Sequence, residues 1–320
     1  MSTLVRSTME RVISDVQELF DPVDPKKSGG VVEALNDLTV QSSFGGRMVT
    51  AFQEAVVRAQ EKHVLKPRNP DTIYFSELGE TCRRKLHYKV HQPAKAETLP
   101  YYTRIKFLYG NILEELVLNS IVTAGHEVTY TQQQVQYTSP SGLTVRGRTD
   151  AVVDGVLVDV KSASKYSFDK FKDDTVLKND TFGYGAQLGG YHAVWNSGMH
   201  HVAKIHDVPS FIAINRDLGH LTFSVIEPEN DWLDIRYVDE VMQAHKSIVF
   251  DSKYVLPATL DDEPFGSKGN RVLSTKCSYC EFKKKCWSDK GVDLRAFMYS
   301  KGPEYFTHVA DIPRVPEVPV

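Results

Sequence analysis

Asp154-Gly155, set between the apolar runs Ala151-Val152-Val153 and Val156-Leu157-Val158, constrains the fold of this chain more than any other residue pair. Asp-Gly between alternating apolar runs is the strongest short signal for a two-residue type I′ hairpin turn. Such a turn fixes the register. Val153 then opposes Val156, Val152 opposes Leu157, Ala151 opposes Val158 and Asp150 opposes Asp159. Side chains alternate across a strand, so Ala151, Val153, Val156, Val158 and Val160 share one face, fit for a core. The other face carries Asp150, Asp159 and Lys161, with Val152 and Leu157 nearer the turn. Directly opposed residues bring their Cβ atoms to about 4.5–5.5 Å, where like charges are destabilising. Two opposed carboxylates call for a divalent cation between them, because hard cations take carboxylate oxygens. Lys161 points to the same side, where an ammonium would stabilise a metal-bound hydroxide and the negative charge that develops at a reacting phosphorus.

The segments around the hairpin predict an α/β core of about 120 residues with helical decoration. Residues 1–70 read as two charged helices separated by the Pro- and Gly-rich stretch at 21–30 and stopped near Pro67 and Pro70. A helix is expected over 103–123, then strands at 127–137, 143–153 and 156–162. A second helix is expected over 184–197, strands at 208–215 and 220–226, and a helix at 229–249. The Pro-rich end, 311–320, is expected to be extended, as a loose end or a docking strap.

Composition excludes some functions. The 320 residues are 41% hydrophobic and 25% charged, as in ordinary globular proteins, and no stretch is long and apolar enough for a membrane span. A net charge of −3 excludes nucleic-acid binding by bulk charge and leaves room only for a local basic strip. The first twenty residues carry acids and lack a signal-peptide core, so a cytoplasmic protein is expected, in a bacterial cell or a phage-infected host. Disulfides are disfavoured in a reducing compartment. The four cysteines, Cys82, Cys277, Cys280 and Cys286, with one Cys-x-x-Cys among them, therefore point to a metal site.

Gly147-x-x-Asp150 followed by Asp159-Val160-Lys161 resembles the second and third motifs of PD-(D/E)XK nucleases, specifically their RecB-like branch. That branch carries Gly-x-x-x-His-Glu on an upstream helix, where this chain has Gly110-Asn111-Ile112-Leu113-Glu114-Glu115, with Glu114 in the place of the usual histidine. Downstream it carries Gln-x-x-x-Tyr, matched by Gln187-Leu188-Gly189-Gly190-Tyr191; four residues apart on a helix means one face. The resemblance covers about 76–287. It implies a restriction-endonuclease-like core, a mixed central sheet flanked by helices. Glu114, Asp150, Asp159 and the Val160 carbonyl would bind Mg²⁺ or Mn²⁺, with Lys161 activating water and Gln187 and Tyr191 orienting substrate.

One early cysteine and a later Cys-x-x-Cys-x₅-Cys resemble the iron–sulfur members of that branch, among them the AddB nuclease domain and the CRISPR-associated RecB-like exonucleases. The resemblance implies a 4Fe-4S cluster on Cys82, Cys277, Cys280 and Cys286 that clamps the segments flanking the core. Tetrahedral Zn²⁺ is the rival occupant, although a zinc ribbon would place a second Cys-x-x-Cys pair. Closing a loop of roughly two hundred residues would stabilise the fold. Arg83, Arg84, Lys85, Lys283, Lys284 and Lys285 adjoin these cysteines and are expected to contact DNA phosphates, with Tyr88, Tyr279 or Trp287 available for stacking.

The expected organisation is thus a helical extension at 1–75, a nuclease core with its cysteine clamp at 76–290, and a tail at 291–320. The expected activity is metal-dependent hydrolysis of DNA from single-stranded ends, in replication, recombination or repair. A CRISPR-adaptation nuclease and a catalytically idle DNA-binding scaffold are the alternatives. No Gly-x-x-x-x-Gly-Lys-Ser/Thr stretch occurs, so a helicase motor, like a recombinase or an integrase, would be a separate partner.

Overall fold

A computed structural model describes residues 2–20, 44–61, 69, 71–97, 101–178, 180–199, 204–253, 261–300 and 302–320. In chain order it begins with helices α1 (Ser2–Phe20) and α2 (Phe44–Glu61), strand β1 (Thr72–Tyr74), and helices α3 (Phe75–Leu78), α4 (Arg83–His91) and α5 (Tyr101–Thr123). Strands β2 (Val128–Thr129), β3 (Gln134–Thr138), β4 (Thr144–Arg148), β5 (Ala151–Val153) and β6 (Val156–Ala163) follow. Helices α6 (Lys165–Lys172) and α7 (Tyr184–Val194) precede strands β7 (Ser210–Asn215) and β8 (Leu221–Val225) and helix α8 (Ile235–Phe250). The remainder holds β9 (Asp262–Phe265), β10 (Asn270–Leu273), α9 (Thr275–Ser278), α10 (Lys283–Ser288), β11 (Arg295–Tyr299), β12 (Gly302–His308) and β13 (Glu317–Val318). The fold is mixed α/β. Two compact units divide the chain, residues 1–79 with 100–246, and residues 80–99 with 247–320.

In the first unit the hairpin forms as its residues dictate. Asp154 and Gly155 take φ of 46° and 82°, the two positive values of a type I′ turn. Ala151 pairs with Val158, Val152 with Leu157 and Val153 with Val156. The hairpin lies within a five-stranded sheet ordered β2-β5-β6-β7-β8, in which only β6 and β7 run parallel. Its predicted apolar face is core: Ala151, Val153, Val156, Val158 and Val160 are buried against α1, through Val5, Met9 and Val12, and against α5, through Val117 and Ile121. The opposite face is covered from α6 and α7, where Phe171 and Tyr184 meet Phe211 of β7 at ring distances of 5.6 and 6.3 Å.

Two expected strands are each broken. Positive φ at Tyr130 and Gln132 separates β2 from β3. The run 143–153 divides at Thr149-Asp150, because β4 belongs to a small sheet ordered β1-β4-β3 and β5 to the larger one. At that seam the Thr149 N–H donates to the Gln133 carbonyl and the Gln132 N–H to the Asp150 carbonyl, each at 3.0 Å. Asp150 therefore lies one residue beyond the paired ladder, where the chain changes sheets. Helix α6, unanticipated from sequence, starts at Ser164, whose Oγ accepts the Ser167 N–H. The helix expected from 229 starts instead as a 3₁₀ turn at Asp231–Leu233, capped by the Asn230 side chain, before α8 begins at Ile235.

The second unit is built on a five-stranded sheet ordered β13-β11-β12-β10-β9 over a small core of Val272, Phe297 and Phe306. The Pro-rich end docks rather than hanging loose: Glu317 and Val318 pair with Phe297 and Ala296. The linker at 21–30, the helix end at 62–68 and the His200-His201 pair lie outside the described residues. Among the described residues no helix is long and apolar enough to cross a membrane.

Asp154 ties the turn to its surroundings. Its carboxylate accepts from the Glu127 N–H at 3.0 Å, from His126 Nδ1 at 2.8 Å and from Arg11 at 2.9 Å. Burial alone would raise its pKa, but these partners outweigh burial and hold it below the ordinary range. A depressed folded value contributes stability above the unfolded value of about 3.9 and loses it as pH falls through the folded value. Asp154→Asn should therefore cost about 1–2 kcal/mol at neutral pH. By urea unfolding, the gap from wild type should narrow as the pH falls below the ordinary carboxylate range; a gap undiminished on acidification would contradict this account.

Candidate active site

The polar face of the hairpin meets two helices. Asp159, on β6, is 5% exposed, and its Oδ2 lies 2.6 Å from Lys161 Nζ, two residues along the same strand. Asp150 turns its Oδ2 to the Val160 N–H at 2.7 Å, so the expected opposition of Asp150 and Asp159 becomes a lateral approach at the strand seam. Val160 itself pairs opposite Ile212 of β7. Helix α5 supplies Glu114, whose Oε1 accepts from Gln132 Nε2 at 2.8 Å. Burial raises the Asp150 carboxyl well above its usual range, and the negative charges of Glu114 and Asp159 push it further. Burial opposes the charge on Lys161, but Asp159, then Asp150, outweigh it and raise the ammonium above its ordinary value. Lys161 is thus a fixed cation at neutral pH, not a base.

Helix α7 carries the remaining predicted residues. The Tyr191 ring stacks on Phe75 with centroids 3.9 Å apart. Its hydroxyl accepts the Arg148 N–H and rests over Gly147, where a Cβ would come within 2.0 Å of it. The first glycine of the motif therefore leaves space for the last tyrosine. Burial pushes Tyr191 up, and Asp150 and Asp159 add to it, so the phenol keeps its proton. Gln187 is half-buried one turn earlier, on the same face.

Two residues of this site escaped the sequence analysis. Gln132 holds Glu114, and no pattern announces it, because it acts from a positive-φ position between two short strands. Tyr184 lies under Lys161, with Nζ 4.9 Å from the ring centroid. Its signal was present: it precedes Gln187 by three residues and Tyr191 by seven, on one helical face.

In the second unit the four cysteines are free thiols that together line a cavity of about 350 Å³. Cys82 caps α4, Cys277 lies in α9, Cys280 follows it, and Cys286 lies in α10. Donors already face two of the sulfurs. Arg84 Nε stands 3.2 Å from Cys286 Sγ and the Phe282 N–H 3.4 Å from Cys280 Sγ. Burial pushes the Cys82, Cys277 and Cys280 thiols up, Cys280 to about 12, and the neighbouring Cys82 adds to the effect at Cys277 and Cys280. A coordinated metal would reverse this, since a coordinating thiol is deprotonated outright.

Among the described residues no group of three or more His, Cys, Asp or Glu side chains stands as a ready-made metal site. The donor chemistry nonetheless suits metals at both places. Three carboxylates press on one another beside a single ammonium, and four thiols share one cavity fringed by N–H donors.

The expected basic patch is largely occupied by internal partners. Arg84 is buried, at 6% exposure, and donates to Cys286 and to the Tyr88 hydroxyl. Lys85 pairs with Glu80, Lys283 with Glu97 and Lys285 with Asp289. Arg83 and Lys284 are exposed. Tyr88 and Trp287 are buried and offer no face to a base, whereas Tyr279 is 75% exposed.

No protein-family model matches the sequence, and no curated protein does. Among solved structures, that of SSO0001 aligns with 72% of this chain and 93% of its own, at 14% sequence identity and a TM-score of 0.40, a likeness too slight to carry an argument.

The contact of Gly147 with Tyr191 generates a prediction. Gly147→Ala should cost about 1–3 kcal/mol through overpacking. Tyr191→Phe, which removes the nearest atom, should recover part of that loss. In a double-mutant cycle by chemical denaturation, a coupling of at least about 0.5 kcal/mol is expected, and strict additivity would refute the contact.

Proposed function

We propose that the first unit is the core of a metal-dependent DNA exonuclease of the RecB-like PD-(D/E)XK class, and that the second holds a 4Fe-4S cluster. The observation that carries the nuclease reading is the electrostatic state of Asp150. A half-buried carboxyl raised by desolvation and by two further carboxylates is costly unless a cation joins them. A protein with no use for a cation gains nothing from that arrangement. The five-stranded sheet, preceded by α5 and with α7 inserted between β6 and β7, is consistent with this reading.

Glu114, Asp150, Asp159 and the Val160 carbonyl would hold Mg²⁺ or Mn²⁺, which when bound supplies a nucleophilic water at neutral pH and neutralises phosphate charge. Lys161, fixed by Asp159 and backed by the Tyr184 ring, stabilises the negative charge that develops at phosphorus. Tyr191, which keeps its proton, can donate to a phosphate oxygen. Gln187, on the same helical face, orients the substrate. The cysteine cluster serves structure, since phosphodiester hydrolysis needs no redox step; Zn²⁺ is the rival occupant. DNA is the proposed substrate, with the exposed Lys284 as a candidate phosphate contact.

Anaerobically purified chain should shorten end-labelled single-stranded DNA with Mn²⁺ or Mg²⁺ and not with EDTA. Lys161→Ala should slow cleavage by about 10²–10³-fold, as loss of a transition-state donor does, with iron content and fold unchanged. Iron and acid-labile sulfide in equal amounts would support the cluster, and stoichiometric zinc would replace it. A folded, iron-loaded chain without metal-dependent cleavage would leave the scaffold reading.

A further inference from the structure

Gln132 makes two contacts from an unusual backbone position. Its N–H donates to the main-chain carbonyl of Asp150 at 3.0 Å, and its Nε2 donates to Glu114 Oε1 at 2.8 Å. Both partners belong to the set of carboxylates that press on one another at the site. They come from separate elements, Asp150 from the break between β4 and β5 and Glu114 from within α5. A single residue thus joins the two.

That position is costly to hold. Gln132 takes a φ of 52° and Tyr130 a φ of 51°. Left-handed backbone crowds the Cβ of any residue but glycine, and asparagine tolerates it better than glutamine does. The turn persists because its surroundings over-determine it. Tyr130 lies edge-on to the buried Trp195, with centroids 5.5 Å apart. Beyond Gln132, the Gln133 carbonyl accepts the Thr149 N–H at 3.0 Å and the Thr149 Oγ1 at 3.4 Å. Glycine would make the same turn with its strain relieved, and its N–H would still reach Asp150, but it would carry no amide to Glu114. The glutamine side chain therefore has a use that the turn itself does not supply.

We propose that Gln132 is a positioning residue for the divalent cation, its amide holding the Glu114 carboxylate beside Asp150. The inference rests on the metal-dependent reading above and deepens it by naming what keeps Glu114 in the set. A glutamate side chain is long and rotatable, and repulsion from Asp150 and Asp159 would drive it away from them. An amide opposes that drift. Being neutral, it orients the carboxylate without competing with a cation for its charge, as a lysine or arginine in its place would. Outer partners of metal ligands act in this way, and their loss weakens metal binding by about ten- to a hundredfold.

The test separates the amide from the turn. Wild type, Gln132→Met and Gln132→Gly are prepared as the full chain. Mn²⁺ affinity is read by electron paramagnetic resonance, beside urea unfolding and cleavage of end-labelled single-stranded DNA. Methionine keeps the reach and the strained backbone without the amide, whereas glycine lacks both amide and strain. Both variants should bind Mn²⁺ about ten- to a hundredfold more weakly, although the urea midpoint of Gln132→Gly should lie above that of Gln132→Met. Saturating Mn²⁺ should return cleavage by both variants to the wild-type rate. Wild-type affinity in Gln132→Gly would overturn the proposal, because a loss confined to Gln132→Met reports damage to the fold and not the missing amide. A Gln132→Gly midpoint at or below that of Gln132→Met would overturn it as well, since the turn would then gain nothing from glycine. Failure of wild type to bind Mn²⁺ would instead reject the metal-dependent reading, and the proposal with it. Mn²⁺ affinity that falls as expected in a chain that cleaves no DNA would uphold the role of Gln132 and reject the exonuclease.

Discussion

The site depends on one electrostatic constraint: the buried Asp159 and the half-buried Asp150 and Glu114 converge, with Lys161 as the cation held against Asp159. Buried like charges are expensive unless paired or bridged. The architecture of the first unit accounts for how they are held. The hairpin turn fixes the register of β5 and β6, the apolar face anchors both strands to α1 and α5, and the change of sheet at Thr149-Asp150 releases Asp150 to lean on the Val160 N–H. Helix α5 then brings Glu114 from the side, and α7 brings Tyr184 and Tyr191 from the opposite layer. None of these groups is placed by a long flexible loop, which is what preorganised charge requires.

Much of this was legible in the sequence because it depends on local periodicity. The Asp-Gly turn, the three residue pairs that follow from it and the division of the hairpin into two faces need only alternation and a two-residue loop. What was hidden depends on long-range choices. Residues 143–153 alternate like a single strand, and nothing local reveals that the chain passes from one sheet to another within them. That break is the reason Asp150 reaches the Val160 N–H instead of standing in a regular ladder. Gln132 was invisible for a related reason, since its partner Glu114 is set by tertiary contact. Tyr184 is the opposite case: its spacing from Gln187 and Tyr191 was readable, but only the position of Lys161 gives it a role.

The second unit was the less legible half. Its strands β9 to β12 are short and carry charges, so they lack a strong alternating pattern, and the end segment acquires order only by pairing with β11. The cysteines were the exception, because their spacing is chemical and does not depend on strand geometry. Their neighbours changed meaning once placed. Arg84 reads as a DNA contact in sequence, yet its guanidinium is buried against a sulfur and a phenol. Lys85, Lys283 and Lys285 have acidic partners inside the same unit, so their charges are partly spent within the fold. The basic residues around the cysteines are thus engaged largely within their own unit.

The most direct measurement of the central claim is Mn²⁺ binding to the full chain by electron paramagnetic resonance, compared with Asp150→Asn and Asp159→Asn, with folding of each checked by circular dichroism. If the three carboxylates gather to hold a divalent cation, wild type binds Mn²⁺ in the absence of DNA and each substitution weakens that binding by at least about tenfold, the loss of one charged ligand to a hard cation. Binding that is absent in wild type, or unchanged in both variants, would contradict it and leave the clustered carboxylates without the role assigned to them here.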